Sequence, residues 1–131
     1  MFELLEAMLC HNVTTKTEPV ILRPQFYATD PFVVIFLSIR VITQHDEKLT
    51  FRWDHASGFS TSSTKDLFDE PGYIHTYAYM SPLLVQASAS VDPTGLWRTR
   101  VFAGGQCFIA QKFEVLQSPE LKQPHFFDVS I

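Results

Sequence analysis

The sequence predicts an all-β protein, a single antiparallel β-sandwich with a short N-terminal helix and an apolar C-terminal extension. Three observations lead there. Across residues 19–116 apolar side chains recur with period two or in continuous β-branched and aromatic runs, and helical periodicity is nearly absent. Turn signals break those runs at intervals that suit about seven to nine short strands. The 131 residues are 46% hydrophobic and 18% charged, which fills one core and leaves too little chain for two.

Taken in order, Phe2-Glu3-Leu4-Leu5-Glu6-Ala7-Met8-Leu9-Cys10 joins good helix formers with a stripe of Phe2, Leu5 and Leu9, and predicts a helix within an N-terminal segment of residues 1–18. A helix this short needs a surface to bury that stripe. The sandwich proper is expected over residues 19–116. Pro31 to Ile42 is β-branched and aromatic, suited to a strand covered on both faces at its start and on one face near Ser38 and Arg40. After the polar turn Gln44 to Lys48, strict alternation sends Leu49, Phe51 and Trp53 to one side and Thr50, Arg52 and Asp54 to the other. These two strands are expected to pair as a hairpin. Ala56 to Asp66 is small and polar, a loop or weak edge strand, and Asp69-Glu70-Pro71-Gly72 is a turn. Tyr73 to Met80 alternates, and Leu83 to Val91 reads as a further strand.

The strongest local signal is the final pair, Gly95 to Ala103 and Gln106 to Val115, joined at Gly104-Gly105. Burial selects its register, because a slip of one residue swaps the faces of a strand. A three-residue loop Gly104-Gly105-Gln106 with a glycine bulge sets Ala103 against Cys107, Val101 against Ile109, Thr99 against Gln111 and Trp97 against Phe113. The other face then carries Arg98, Arg100, Lys112 and Glu114. Residues 117–131 form the extension: two prolines, Pro119 and Pro124, preclude a helix, and Phe126, Phe127, Val129 and Ile131 are expected to dock on this domain or a neighbour.

The strand pattern of residues 19–116 resembles the immunoglobulin-like and fibronectin-like modules. The likeness rests on the Asp92-Pro93-Thr94-Gly95-Leu96-Trp97 entry to the last hairpin, its Gly104-Gly105 tip, its return through Phe113-Glu114-Val115, and Trp53 as a core tryptophan. Cys10 and Cys107 do not sit where antibody domains place their inter-sheet pair. The resemblance implies a recognition or spacer module more often than an enzyme, although fold alone does not fix function.

Composition narrows the partners. A net charge of −4 argues against nucleic acid and anionic membrane, and no apolar run approaches the roughly 20 residues that span a bilayer. Two cysteines make no disulfide framework and favour a reducing, cytoplasmic setting. Asn12-Val13-Thr14 is set aside as a chance glycosylation tripeptide, for want of an export signal.

Chemistry-bearing patterns are sparse. Gly58-Phe59-Ser60-Thr61-Ser62 lacks the closing glycine and the strand-to-helix setting of a nucleophile elbow. His11, His45, His55, His75 and His125 show no metal-ligand spacing, so neither metal nor cofactor is expected. Asp46/Glu47 and Asp69/Glu70 suit turns, and Asp54 beside His55 suits a strand end. No catalytic residue is assigned. Two surfaces stand out as binding candidates. Tyr73, His75, Tyr77 and Tyr79 share one strand face, a pattern suited to protein contact or to stacking against sugars, provided the rings are exposed. Arg52, Arg98 and Arg100, with Arg40 and Lys112, would form a basic face attractive to an acidic segment if their strands share a sheet. The expected function is a non-catalytic protein-interaction or structural module, with a protein partner or self-association through its edges and apolar ends; a carbohydrate or small-ligand binder is the alternative, and a small enzyme the third.

Overall fold

Val33–Val41, the most apolar stretch, is the middle strand of one sheet. The computed structural model describes residues 2–42, 47–67 and 72–118. Along them run β1 (Phe2–Cys10), β2 (Asn12–Val13), β3 (Pro19–Val20), β4 (Phe26–Tyr27), β5 (Val33–Val41), β6 (Glu47–His55), β7 (Ser60–Leu67), β8 (Gly72–Met80), α1 (Pro82–Ala89), β9 (Gly95–Ala103) and β10 (Gln106–Leu116). One sheet is ordered β1-β5-β8, another β4-β10-β9-β6-β7, and β2 pairs with β3. A single buried cluster takes Ile35, Leu37, Ile39 and Ala78 from the first sheet and Leu49, Phe51, Trp53, Trp97, Val101 and Phe113 from the second. The protein is therefore mostly β, as its sequence predicts.

The N-terminal helix is not there. Phe2–Cys10 is a strand paired antiparallel with β5, from Phe2 opposite Val41 to Cys10 opposite Val34. A register shift between Leu4 and Glu6 explains the misreading. Phe2, Leu4, Ala7 and Leu9 all pack on the core, while Leu5 of the expected stripe is exposed; the bulge breaks the alternation between Leu4 and Ala7 and so hides the period of two.

The expected hairpin of β5 with β6 is also absent. β5 is flanked on both sides, by β1 and β8, so β6 lies in the other sheet between β9 and β7. The shared core face expected of these strands does hold, across the sheets rather than within one. A second, smaller cluster of Cys10, Val34 and Phe36, with Met8, Val13, Phe32 and Tyr77, covers the opposite face of β5. Burial on both faces is what the unbroken apolar run of β5 requires.

Leu83 to Val91 is not a strand. Ser81 accepts a hydrogen bond from the Leu84 N–H at 3.1 Å, Pro82 opens the helix, and α1 ends on Ser90 in the left-handed region, with φ 55°. A hydroxyl at the N-cap followed by proline at the first helical position is a helix-start signal. The final hairpin has the expected long-range register, with Val101 opposite Ile109, Thr99 opposite Gln111 and Trp97 opposite Phe113, but a different tip. Gln106 pairs with Ala103, so the turn is the two residues Gly104 and Gly105, and the register shift falls between Cys107 and Ile109. Both glycines have positive φ, 57° and 81°, which tight hairpin turns demand. One pairing departs from the antiparallel rule: β4 runs parallel to β10, Phe26 beside Val115 and Tyr27 beside Leu116.

Candidate interaction surfaces

The tyrosines lie on the outward face of β8, because Ala78 and Met80 of the opposite parity are buried in the core. Tyr73 is 74% exposed and Tyr79 55% exposed. His75, also exposed, sits with Nδ1 3.0 Å from Ser38 Oγ and its ring stacked on Phe36 at 5.4 Å. Tyr77 is half-buried beneath the Lys65 ammonium, 4.2 Å from its ring centre. Burial lowers the Lys65 pKa, the ordinary consequence of taking a cation out of water. Beside the tyrosines, Asn12, Val13, Phe32, Val34, Tyr77 and Tyr79 line a cleft of about 190 Å³, with Phe32 edge-on to Tyr79 at 4.9 Å. Asn12, Val13 and Phe32 come to this place from distant segments, which no local pattern in the sequence announces.

The basic face is divided. Arg40 belongs to β5 and pairs with Glu3 at 2.9 Å on the three-stranded sheet. Arg52, Arg98, Arg100 and Lys112 share the outer face of the five-stranded sheet, with Arg52 opposite Arg100 and Arg98 opposite both Lys112 and Asp54. Asp54 takes one oxygen to Arg52 Nε and the other to Arg100 Nη2, each at 2.9 Å. Burial pushes its carboxyl up, and hydrogen bonds from Arg52, Arg100 and Ser60 outweigh that, so the net pKa is lowered. Leu96, 60% exposed, borders this face.

Asp54 and His55 do not orient one another, because neighbours on a strand point to opposite faces. His55 turns toward the loop before β9: its Nε2 lies 2.7 Å from the Thr94 carbonyl and its Nδ1 2.7 Å from Ser57 Oγ, with Trp97 at 4.7 Å between ring centres. Asp92 accepts from the Thr94 N–H and hydroxyl, which lowers its pKa and fixes that carbonyl. His11 is equally occupied, accepting from the Leu22 N–H at Nδ1 and meeting the Gln25 carbonyl with Nε2 at 2.9 Å. Among the described residues no three His, Cys, Asp or Glu gather into a metal-binding group. His45, Asp46, Asp69, Glu70 and His125 lie outside those residues.

Comparison with models of protein families and with curated proteins finds no match. Among solved structures the chain is similar to an immunoglobulin-like protein from Pseudomonas aeruginosa, with a TM-score of 0.56 and 14% identity over 88% of this chain and 96% of that one. The fold is immunoglobulin-like. This immunoglobulin-like chain has no cysteine in β5 or β9, the strands that antibody domains bridge, and both its thiols are free. Its core tryptophan, Trp53, packs edge-on to Phe113 at 5.9 Å instead. Among the described residues no helix is long and apolar enough to cross a membrane.

Proposed function

We propose that the protein is a non-catalytic interaction module of immunoglobulin-like sandwich architecture, and that it binds a protein partner through the outer face of the three-stranded sheet. The observation that carries this is the exposure of Tyr73 and Tyr79 on a strand whose other face is core. An exposed tyrosine offers large apolar area, a hydroxyl and only two side-chain torsions to order, so it gives more contact for less entropy than most surface residues. The five-stranded sheet offers less, because its Arg52, Asp54 and Arg100 already satisfy one another. Free thiols suit a reducing compartment.

The test compares proteins retained by the immobilised wild-type chain, by Tyr73→Ser/Tyr79→Ser and by Arg52→Ser/Arg98→Ser. A partner held by wild type and the arginine variant but lost from the tyrosine variant supports the proposal. Loss from the arginine variant alone moves the contact to the other sheet and overturns it.

A second reading draws on the cleft beside Tyr77 and Tyr79, whose aromatic walls and Asn12 amide suit one sugar ring. Titration with neutral oligosaccharides, followed through the tyrosine resonances, decides it. Shifts confined to Tyr77 and Tyr79 favour it, and unshifted spectra at millimolar sugar dismiss it.

A further inference from the structure

Lys65 is a cation on the core side of its strand. It stands opposite Leu49 in the β6–β7 ladder, and Leu49 is buried. Residues facing one another across a ladder share a face, so the Lys65 stem leaves β7 toward the three-stranded sheet. It ends at β8, donating to the Tyr77 carbonyl above the Tyr77 ring. Around it, where the outer strands of the two sheets meet, opens a cleft of about 470 Å³ whose lining includes Thr17, Lys65, Asp66, His75, Thr76 and Tyr77. No carboxylate of the described residues pairs with the ammonium. Asp66 projects from the other face of β7, opposite Lys48. Held by one carbonyl and one ring, this half-buried cation has given up water without gaining an anion.

The β8 main chain adds a direction. β8 pairs with β5 along one edge only, with no register shift. Alternate residues of an antiparallel strand turn their N–H and C=O to opposite edges, and the Tyr77 carbonyl faces Lys65, away from β5. Tyr73 and His75 therefore turn their main-chain groups to the same open edge. The inward lysine obstructs strand addition at Tyr77, and the stretch from Tyr73 to His75 has room for a short one.

We propose that the partner bound on the outer face of the three-stranded sheet presents a short, extended, acidic segment, whose main chain pairs with β8 from Tyr73 to His75 and whose Asp or Glu side chain meets the Lys65 ammonium. This rests on Tyr73 and Tyr79 being the contact surface, and adds what the partner must carry. Side chains of the segment opposite Tyr73 and His75 share their outer face, where apolar or aromatic residues suit them. Main-chain pairing gives affinity with little choice of sequence, and the carboxylate supplies the choice. A segment without an acid at that place leaves Lys65 unpaired in a site now drier, which turns other strands away.

Random short peptides displayed between fixed flanks, where only side chains supply carboxylates, are selected on the immobilised full chain. An acidic consensus is expected. The selected peptide is then compared with its amide counterpart on wild type and on Lys65→Gln, which exchanges the ammonium for a neutral donor. Removing either charge should weaken binding at least about tenfold, and removing the second should add little. Selection of peptides without an acid overturns the proposal. So do acid and amide peptides that lose the same affinity on Lys65→Gln, because the acid then lies elsewhere while the tyrosine surface stands. Tyr73→Ser/Tyr79→Ser is the separate arm: it should lose the peptide, and undiminished affinity there overturns the outer-face contact itself.

Discussion

Asp54 holds two guanidinium groups at once, one from its own strand and one from the neighbouring β9. Because its pKa is lowered in the folded chain, its stabilising effect is present above the unfolded value near 4 and is lost as acid protonates it in the native state. Urea midpoints of the wild type should fall on acidification below about pH 4, and those of Asp54→Asn should fall less. At pH 7 the same substitution should cost about 1 kcal/mol, typical of a partly exposed pair. Thr99 makes the opposite case. It is fully buried, its hydroxyl has no hydrogen-bond partner among the described residues, and it stands opposite Trp53, whose indole N–H likewise finds none there. Thr99→Val keeps the shape and removes a polar group from the core, so unfolding should show equal or greater stability, by up to about 2 kcal/mol. A loss of more than about 1 kcal/mol would mean the hydroxyl is satisfied after all. Trp97 contrasts with both, since its indole donates to the Pro93 carbonyl at 2.7 Å.

Elements were legible where burial alone decides them. The facing pairs of β9 and β10 followed from keeping Trp97, Phe113, Val101 and Ile109 on one side, and that argument survives a tip of different length because the register shift near Phe108 restores the phase. β1 was not legible, because a bulge breaks its alternation within nine residues that are mostly good helix formers. Its misreading carried a second error with it: with no strand at the N-terminus to flank β5, β6 was the natural neighbour, and the crossing to the other sheet was hidden. The tyrosine face of β8 was visible in the sequence, but its exposure depended on what covers β8, which only the fold supplies. α1 is the reverse case, since Ser81 and Pro82 were a start signal that the apolar Leu83-Leu84-Val85 run outweighed. The cap still matters to the element. Ser81→Ala should lower stability by about 1 kcal/mol in chemical unfolding, while Ser81→Asp should hold it. No change with alanine would mean that Pro82 and the burial of Val85 suffice to set α1.

At the scale of the molecule, the edges decide how one chain meets another. Lys65 lies between the outer strands of two sheets and gives up part of its hydration to do so. Lys65→Val should keep the fold within about 1 kcal/mol, yet raise the average mass in light scattering relative to wild type, because β7 and β8 would lose their guard. An unchanged mass would show that the serine- and threonine-rich β7 is protection enough. The two thiols add a gauge of internal motion. Cys10 is sealed beneath Met8, Val13 and Phe32, and its burial raises its pKa, whereas Cys107 is open to solvent. A thiol-reactive dye would therefore consume one equivalent at once and a second only as fast as the β2–β3 flap lifts, turning a simple colour change into a clock for that movement.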